Sequence, residues 1–195
     1  MTPFSTPEVL QAAGGAARLV QGLTPITVTA AVCGPAATCA CAPGDNLALH
    51  RLLEQAPEGS VLVVDAGDRT DCGHFGELAA MDAKNRGIQG LVISGAIRDA
   101  GALAVLGFPV FHGGSAPAGC VKEAVLSVNE PVTINGVEVA PGDQMVADSD
   151  AILVVPAARW PAVEASARAI REAEDDLRTE LLQGARLADL LDLPA

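Results

Sequence analysis

Two short apolar runs constrain this chain more than anything else in it. Residues 60–65 read SVLVVD and residues 89–94 read QGLVIS. Neither run alternates, so each predicts a strand buried on both faces, as in a parallel sheet covered by other layers. Between them, residues 76–86 carry a helical pattern that stops at Gly87, a residue suited to the left-handed position past a helix end. A short helix over 99–106 and a strand over 108–111 follow. This β-α-β-α-β rhythm predicts neighbouring parallel strands with right-handed crossovers.

The flanks read differently. Residues 7–22 predict a helix, with Thr6 as its cap and Pro7 in its first turn. Residues 26–33 alternate and are rich in β-branched side chains, which predicts a strand. Gly34-Pro35 marks a break before a second strand over 36–41, and Asp45 is placed to cap a helix over 46–56. Beyond residue 120 come short strands over 122–128, 132–134 and 137–139, with Asn135-Gly136 as a hairpin signal. Two more lie between Met145 and Val155, so this part is antiparallel or barrel-like. Pro156 and Pro161 bracket a loop. One long helix over 162–183 then carries an apolar stripe of Ala173, Leu177, Leu181 and Leu182 opposite an acidic face. A short helical turn over 187–193 ends the pattern. With no repeat and no linker, the expectation is one α/β domain over residues 1–195 (central sheet, flanking helices, part parallel and part antiparallel, long C-terminal helix).

Half the residues are hydrophobic but only 3% are aromatic, so small side chains do the packing and backbones approach closely. A net charge of −12 argues against nucleic acid as a ligand, because such binding rests on Lys and Arg neutralising phosphates. No uninterrupted apolar run approaches the ~18–20 residues of a spanning helix. The first residues also lack the basic-then-apolar order of a signal peptide. The expectation is a cytoplasmic protein with no membrane partner. Five cysteines, an odd number, do not suggest a disulfide framework. Cys39-Ala40-Cys41 has no second pair at zinc-finger spacing, so these thiols read as small core residues.

The chemistry-bearing residues cluster around Glu77 and Arg98-Asp99. Each has an ordinary reading: Asp99 as the N-cap of the helix after it, Arg98 as a surface ion pair, Glu77 as an acid favoured by a helix dipole. Their placement suggests more. Parallel strands ending near Asp65 and Gly95 would turn their C-terminal ends, and the start of the helix after Gly76, toward one crevice, where ligands bind in open α/β sheets. Open backbone N–H groups near Gly73 and Gly76 suit a carboxylate. Arg98 could clamp the same carboxylate, and Asp99 could hold Mg²⁺ with Glu77 on a bound water.

The strings GPAAT (34–38), DNL (45–47), SVLVVDAG (60–67), GELAAMDAKNRG (76–87), GLVISGAIRD (90–99), GFPVF (107–111), VAPGD (139–143) and AD…ILVVP (147–156) occur in that order. In this the chain resembles the class II 4-hydroxy-4-methyl-2-oxoglutarate/4-carboxy-4-hydroxy-2-oxoadipate aldolases, whose family includes the RraA-like regulators of ribonuclease E activity. The aldolase-type pattern is an acid, twenty residues, then Arg-Asp; Glu77 and Arg98-Asp99 fit it. Ser94 departs from the pattern where many members carry an acid, as does Ser149-Asp150-Ala151 before the last strand.

The resemblance implies a swivelling-domain-like α/β/α fold and a homotrimer or hexamer with sites between subunits. It implies Asp99 as ligand of Mg²⁺ or Mn²⁺, Arg98 on the carboxylate and enolate of a pyruvyl group, and Glu77 in proton transfer. The backbone from Gly76 to Leu78 would receive the carboxylate. His74 would border the distal end of the substrate, and Glu174 is the match for an acid lent by a neighbouring subunit. The implied activity is a metal-dependent lyase that releases pyruvate from a 2-oxo acid, by retro-aldol cleavage or oxaloacetate decarboxylation. No lysine stands out for a Schiff base, since Lys84 reads as a helix exterior and Lys122 as a strand start. The alternative is a non-catalytic regulator that binds a ribonuclease or helicase through an acidic surface. A methyltransferase reading lacks a glycine-rich nucleotide loop after the first strand.

Overall fold

The structure, a computed structural model, describes residues 4–67 and 69–191. Its centre is a mixed sheet, and the two apolar runs are its middle strands. These are β4 (Val61–Asp65) and β5 (Gly90–Ile97), parallel to each other and flanked by β3 (Val32–Cys41) and β6 (Val110–Ser115), also parallel. Period-two packing explains why these strands lack polar alternation. Leu62, Val64, Leu91 and Ile93 face one apolar cluster, while Val61, Val63 and Val92 face another.

On the first face lie α2 (Leu47–Gln55), α3 (Glu77–Asn85) and α4 (Ala100–Leu106), which bring Leu49, Leu52, Ala80, Ala83 and Leu103 to the strands. A hairpin covers the second face. Its strands β8 (Val132–Ile134) and β9 (Val137–Val139) turn at Asn135-Gly136, both at positive φ, as the sequence signal required. A third cluster joins β10 (Gln144–Ala147) and β11 (Ile152–Val155) to α1 (Thr6–Ala13) and α5 (Trp160–Leu182). The full strand order is β1-β11-β10-β3-β4-β5-β6-β2, with β1 at Arg18–Val20 and β2 at Thr24–Pro25. A further strand, β7 (Val125–Val128), pairs with the end of β3. The domain is therefore α/β, part parallel and part antiparallel, with a long C-terminal helix.

Several boundaries differ from the sequence reading for local reasons. The first helix stops at Ala13, because Gly14 and Gly15 both take positive φ, and residues 18–20 form β1 instead. Its cap is Ser5, in a reciprocal box with Glu8, while Thr6 bonds Asp148. Strand β3 runs straight through Gly34-Pro35. Pro35 lies where β3 still pairs antiparallel with β10, and the parallel pairing with β4 begins one residue later, at Ala36. Gly34 is needed because a Cβ there would fall 2.3 Å from the Gly59 carbonyl oxygen. No strand spans 26–31. Strand β6 continues through His112-Gly113-Gly114, and Pro161 sits in the first turn of α5, where its missing N–H costs nothing. The final short helix, α6, covers Leu187–Leu190; the end of the expected turn at 192–193 lies outside the described residues. No helix among the described residues is long and apolar enough to cross a membrane.

The apolar stripe of α5 is not matched by a partner among the described residues. Only Val163 and Ala167 of α5 are buried; Ala173 and Leu181 are exposed and Leu182 is 89% exposed.

Candidate active site

Strand β5 leads directly into Arg98-Asp99, and the segment 73–76 runs alongside its end. The His74 N–H donates to the Ala96 carbonyl (2.9 Å), and the Arg98 N–H to the Phe75 carbonyl (2.9 Å). Phe75, buried and stacked on Phe108 at 5.8 Å, anchors this segment to the core. Two glycines allow the approach. A Cβ at Gly73 would fall 2.7 Å from Arg98 Cβ, and one at Gly76 would fall 2.6 Å from Asp99 Oδ2.

Asp99 occupies the N-cap position of α4, but it does not cap that helix. It holds a left-handed backbone (φ 54°), rare outside glycine, and makes no side-chain cap bond. Its carboxylate turns instead toward the start of α3, with Oδ2 3.4 Å from the Glu77 N–H and 3.3 Å from Arg98 Nε. Both side chains of the pair are nearly half exposed (44% and 43%), so the pair is open to ligand and weak as a stabilising bridge. Gly76 caps α3 without a side chain, which leaves the N–H groups of its first turn unsatisfied within the helix.

These elements wall a cleft of about 220 Å³ lined by Asn46, His50, Gly73, His74, Gly76, Leu78, Ala79, Arg98, Cys120 and Lys122. Five residues singled out from sequence thus come together: Gly76, Leu78 and Arg98 on the wall, Asp99 beside Gly76, and Glu77 through its backbone, its side chain exposed. His74 also reaches the wall, but as a buried ring (1% exposed). Glu174 is not brought to the cleft. It lies on α5, bonded to Arg178 at 2.7 Å, and no lining residue comes from that helix.

Sequence reasoning missed three polar residues of the wall. Asn46 ties the site together, its amide donating to the His74 carbonyl at 2.8 Å. His50, read as a surface or structural helix residue, faces the cleft; burial, aided by the charge of Lys122, holds it below the usual histidine pKa. Lys122, read as the start of a strand, lies before β7, and its segment is drawn to the site by Asp45. That carboxylate accepts from the N–H groups of Glu123 (2.7 Å), Ala124 (2.9 Å) and Leu47 (2.7 Å). The cysteines that matter also differ. Cys39 and Cys41 are buried strand residues, whereas Cys72 and Cys120 meet at the cleft with their sulfurs 3.2 Å apart. Burial, reinforced by the Cys72 thiol, pushes the Cys120 thiol up to about 12.

The class of protein is thus a mixed α/β domain with an Arg-Asp pair at the carboxyl end of a central strand, facing the start of α3. The particular family follows from comparison: residues 6–154 match the RraA-like family described as Aldolase/RraA, and the chain belongs to that family. A relative from Halalkalibacterium halodurans, named "Putative 4-hydroxy-4-methyl-2-oxoglutarate aldolase", is 35% identical over 172 residues, covering 87% of this chain and 80% of that one. Among solved structures, an uncharacterized protein from Pseudomonas syringae pv. tomato superposes with a TM-score of 0.82 at 26% identity, over 96% of this chain and 92% of that one. The RNA-processing inhibitor RraA from Thermus thermophilis gives a TM-score of 0.72 at 28% identity, over 80% and 94%.

Proposed function

We propose that this chain is a divalent-metal-dependent lyase that cleaves a C–C bond in a 2-oxo acid and releases pyruvate. The substrate class is a 4-hydroxy-2-oxo acid (retro-aldol cleavage), oxaloacetate (decarboxylation), or both. The observation that carries the reading is Asp99. At φ 54° in the N-cap position, Asp99 makes no cap bond and turns its carboxylate to Arg98 and the start of α3, where it is open to a ligand.

The residues present fit a hard cation. The Asp99 carboxylate is half exposed and stands over the space that a Gly76 side chain would fill. One carboxylate with open space around it suits Mg²⁺ or Mn²⁺, which keep several waters, better than a dedicated cage. Such a cation, when bound, supplies Lewis-acid charge to the 2-oxo group.

The chain's own groups do the rest. The substrate carboxylate is received by the N–H groups at the start of α3 after that of Glu77, which faces Asp99, and by the Arg98 guanidinium. In the retro-aldol reaction Glu77, directly or across one water, takes the proton of the C4 hydroxyl. The C3–C4 bond then breaks, C4 becomes a carbonyl, and the electron pair passes into the enolate of pyruvate. Arg98 stabilises that developing charge, and a proton returned to C3 completes pyruvate. In decarboxylation the same enolate forms as CO₂ leaves, and no hydroxyl proton is removed. His50 and Lys122 border the cleft as further polar contacts.

Assembly is part of the proposal. Leu78, on the cleft wall, and Met81, Val105, Val121, Val125 and Leu126 are exposed apolar residues. Together with the uncovered stripe on α5, they support a homotrimer or hexamer, in which a neighbouring copy could lend Glu174.

A second reading has its own support. The likeness to an RNA-processing inhibitor and the net charge of −12 fit a regulator that binds a basic protein surface. Pyruvate release from a panel of 4-hydroxy-2-oxo acids and oxaloacetate separates the two. The lyase reading expects turnover that chelation abolishes and Mg²⁺ or Mn²⁺ restores. Full turnover in excess chelator removes the metal mechanism, and no turnover with metal present favours the regulator.

A further inference from the structure

The wall of the cleft contains a donor set that the lyase reading leaves unused. Cys72 and His74 flank Gly73, and Cys120 follows Gly119. Gly73 is bridged to Gly119 on one side and to Ala96 on the other, and its N–H donates to the Ala118 carbonyl at 2.8 Å. This extended pairing puts residues 72 and 74 on one side of their segment. The two sulfurs and a ring nitrogen of His74 all lie within 4.8 Å of one another. His74 is 1% exposed, yet neither of its ring nitrogens makes a well-formed hydrogen bond among the described residues, although the backbone of Ala96 and of Cys72 approaches the ring. Its backbone is held on both sides, by Ala96 through the N–H and by Asn46 through the carbonyl, so the ring is fixed in place without being satisfied. A buried polar group left unpaired is uncommon and is satisfied by an ordered water or an ion; the two sulfurs beside the ring favour the ion.

Two sulfurs and one imidazole are the donors of Zn²⁺ and similar thiophilic ions; Mg²⁺ prefers oxygen and does not compete for them. We propose that Cys72, His74 and Cys120 form a three-ligand site for a Zn²⁺-class cation, separate from the Asp99 site. His74 and Cys120 belong to the cleft wall while Cys72 does not, so the ion sits in that wall. Its fourth position opens toward the cleft and takes a water or an oxygen of a bound anion. A Cys72–Cys120 disulfide would use the same sulfurs but would leave His74 without a partner.

The test uses the whole protein, reduced with a non-chelating phosphine and loaded with Co²⁺ in the presence of excess Mg²⁺. The site predicts a thiolate-to-cobalt charge-transfer band and the visible bands of a four-coordinate ion, saturating at about one equivalent per chain. Added Zn²⁺ removes these bands. Cys120→Ser and His74→Asn lose them, with circular dichroism as the folding control, while a Cys39→Ser/Cys41→Ser double variant and Arg98→Ala keep them. A measurement on the wild type alone guards against misfolded variants: Zn²⁺ protects Cys72 and Cys120, but not Cys33, from alkylation mapped by mass spectrometry. The proposal is overturned if the wild type shows no thiolate band, if the band survives in Cys120→Ser, or if Zn²⁺ leaves the alkylation of Cys120 unchanged. None of these readouts is turnover, so this site and the lyase reading stand or fall independently.

Discussion

Gly76→Ala tests the site geometry with a single methyl group. Gly76 has φ −146° and ψ −172°, extended backbone that alanine adopts freely, so no conformational strain is introduced. The added Cβ would fall 2.6 Å from Asp99 Oδ2, 2.9 Å from Arg98 Cγ and 3.0 Å from Arg98 Nε. Ordinary contact needs about 3.5 Å, so the Asp99 carboxylate and the Arg98 stem must each retreat by roughly 0.5–1 Å. Both side chains are nearly half exposed and can move. The cost to the fold is therefore at the low end for overpacking, about 1 kcal/mol, or a shift in Tm of about 2–4 °C for a domain of this size. Activity is far more sensitive. A displacement of this size costs about 10²-fold in rate when the moved groups position and stabilise the reacting atoms. Gly101→Ala is the matched control, since a Cβ there meets nothing within 4 Å inside helix α4, and full activity with equal or slightly higher Tm is expected. The assay is pyruvate release alongside thermal melts of wild type and both variants. If Gly76→Ala keeps its activity within threefold at an unchanged Tm, Arg98 and Asp99 do not act from the positions described.

Other expectations follow from packing and charge. Light scattering should show a trimer or hexamer, and Leu182→Glu, placed on the uncovered end of α5, should weaken that assembly; a monomer at micromolar concentration would remove Glu174 from the scheme. Glu8, 3% exposed, accepts from Arg171 at 3.0 and 2.8 Å and from the Ser5 N–H. Burial alone would raise its pKa, but these bonds outweigh it and the net shift is downward. The stabilisation is thus present above the usual glutamate range and fades as pH falls through the lowered folded-state value. Glu8→Gln should cost about 1–3 kcal/mol near neutral pH and lose most of that difference in acid, measured by denaturant melts across pH.

The central strands, the helix over residues 77–85 and the hairpin at Asn135-Gly136 were legible because each has a local cause: an apolar run, a glycine stop, a positive-φ pair. The Arg98-Asp99 pair was legible as a motif at a strand end. What was not legible depends on partners distant in the chain. Gly34-Pro35 looks like a break, and only the switch from β10 to β4 as neighbour lets one strand pass through it. His50 and Lys122 carry no local sign of a site: His50 arrives with α2, and Lys122 through the docking of the segment around Val121 on Gly44, Asp45 and Asn46. The grouping of Cys72 and His74 with Cys120 was not read from the sequence, because Cys120 lies 48 residues after Cys72 and joins it only through the pairing of Gly73 with Gly119. The reading of Asp99 as a cap failed on a single dihedral angle.

Arg98→Ala measures the central claim most directly. Arg98 is held by its backbone bond to Phe75 and by the glycines beside its stem, while its guanidinium reaches the open cleft, so truncation should leave the fold intact by circular dichroism. If the guanidinium stabilises the enolate, pyruvate release should fall by about 10²-fold or more, mainly in kcat. Arg98→Lys should recover little of that loss, because an ammonium does not reproduce the planar fork. A wild type that releases pyruvate, with Arg98→Ala matching it within twofold, would contradict the account.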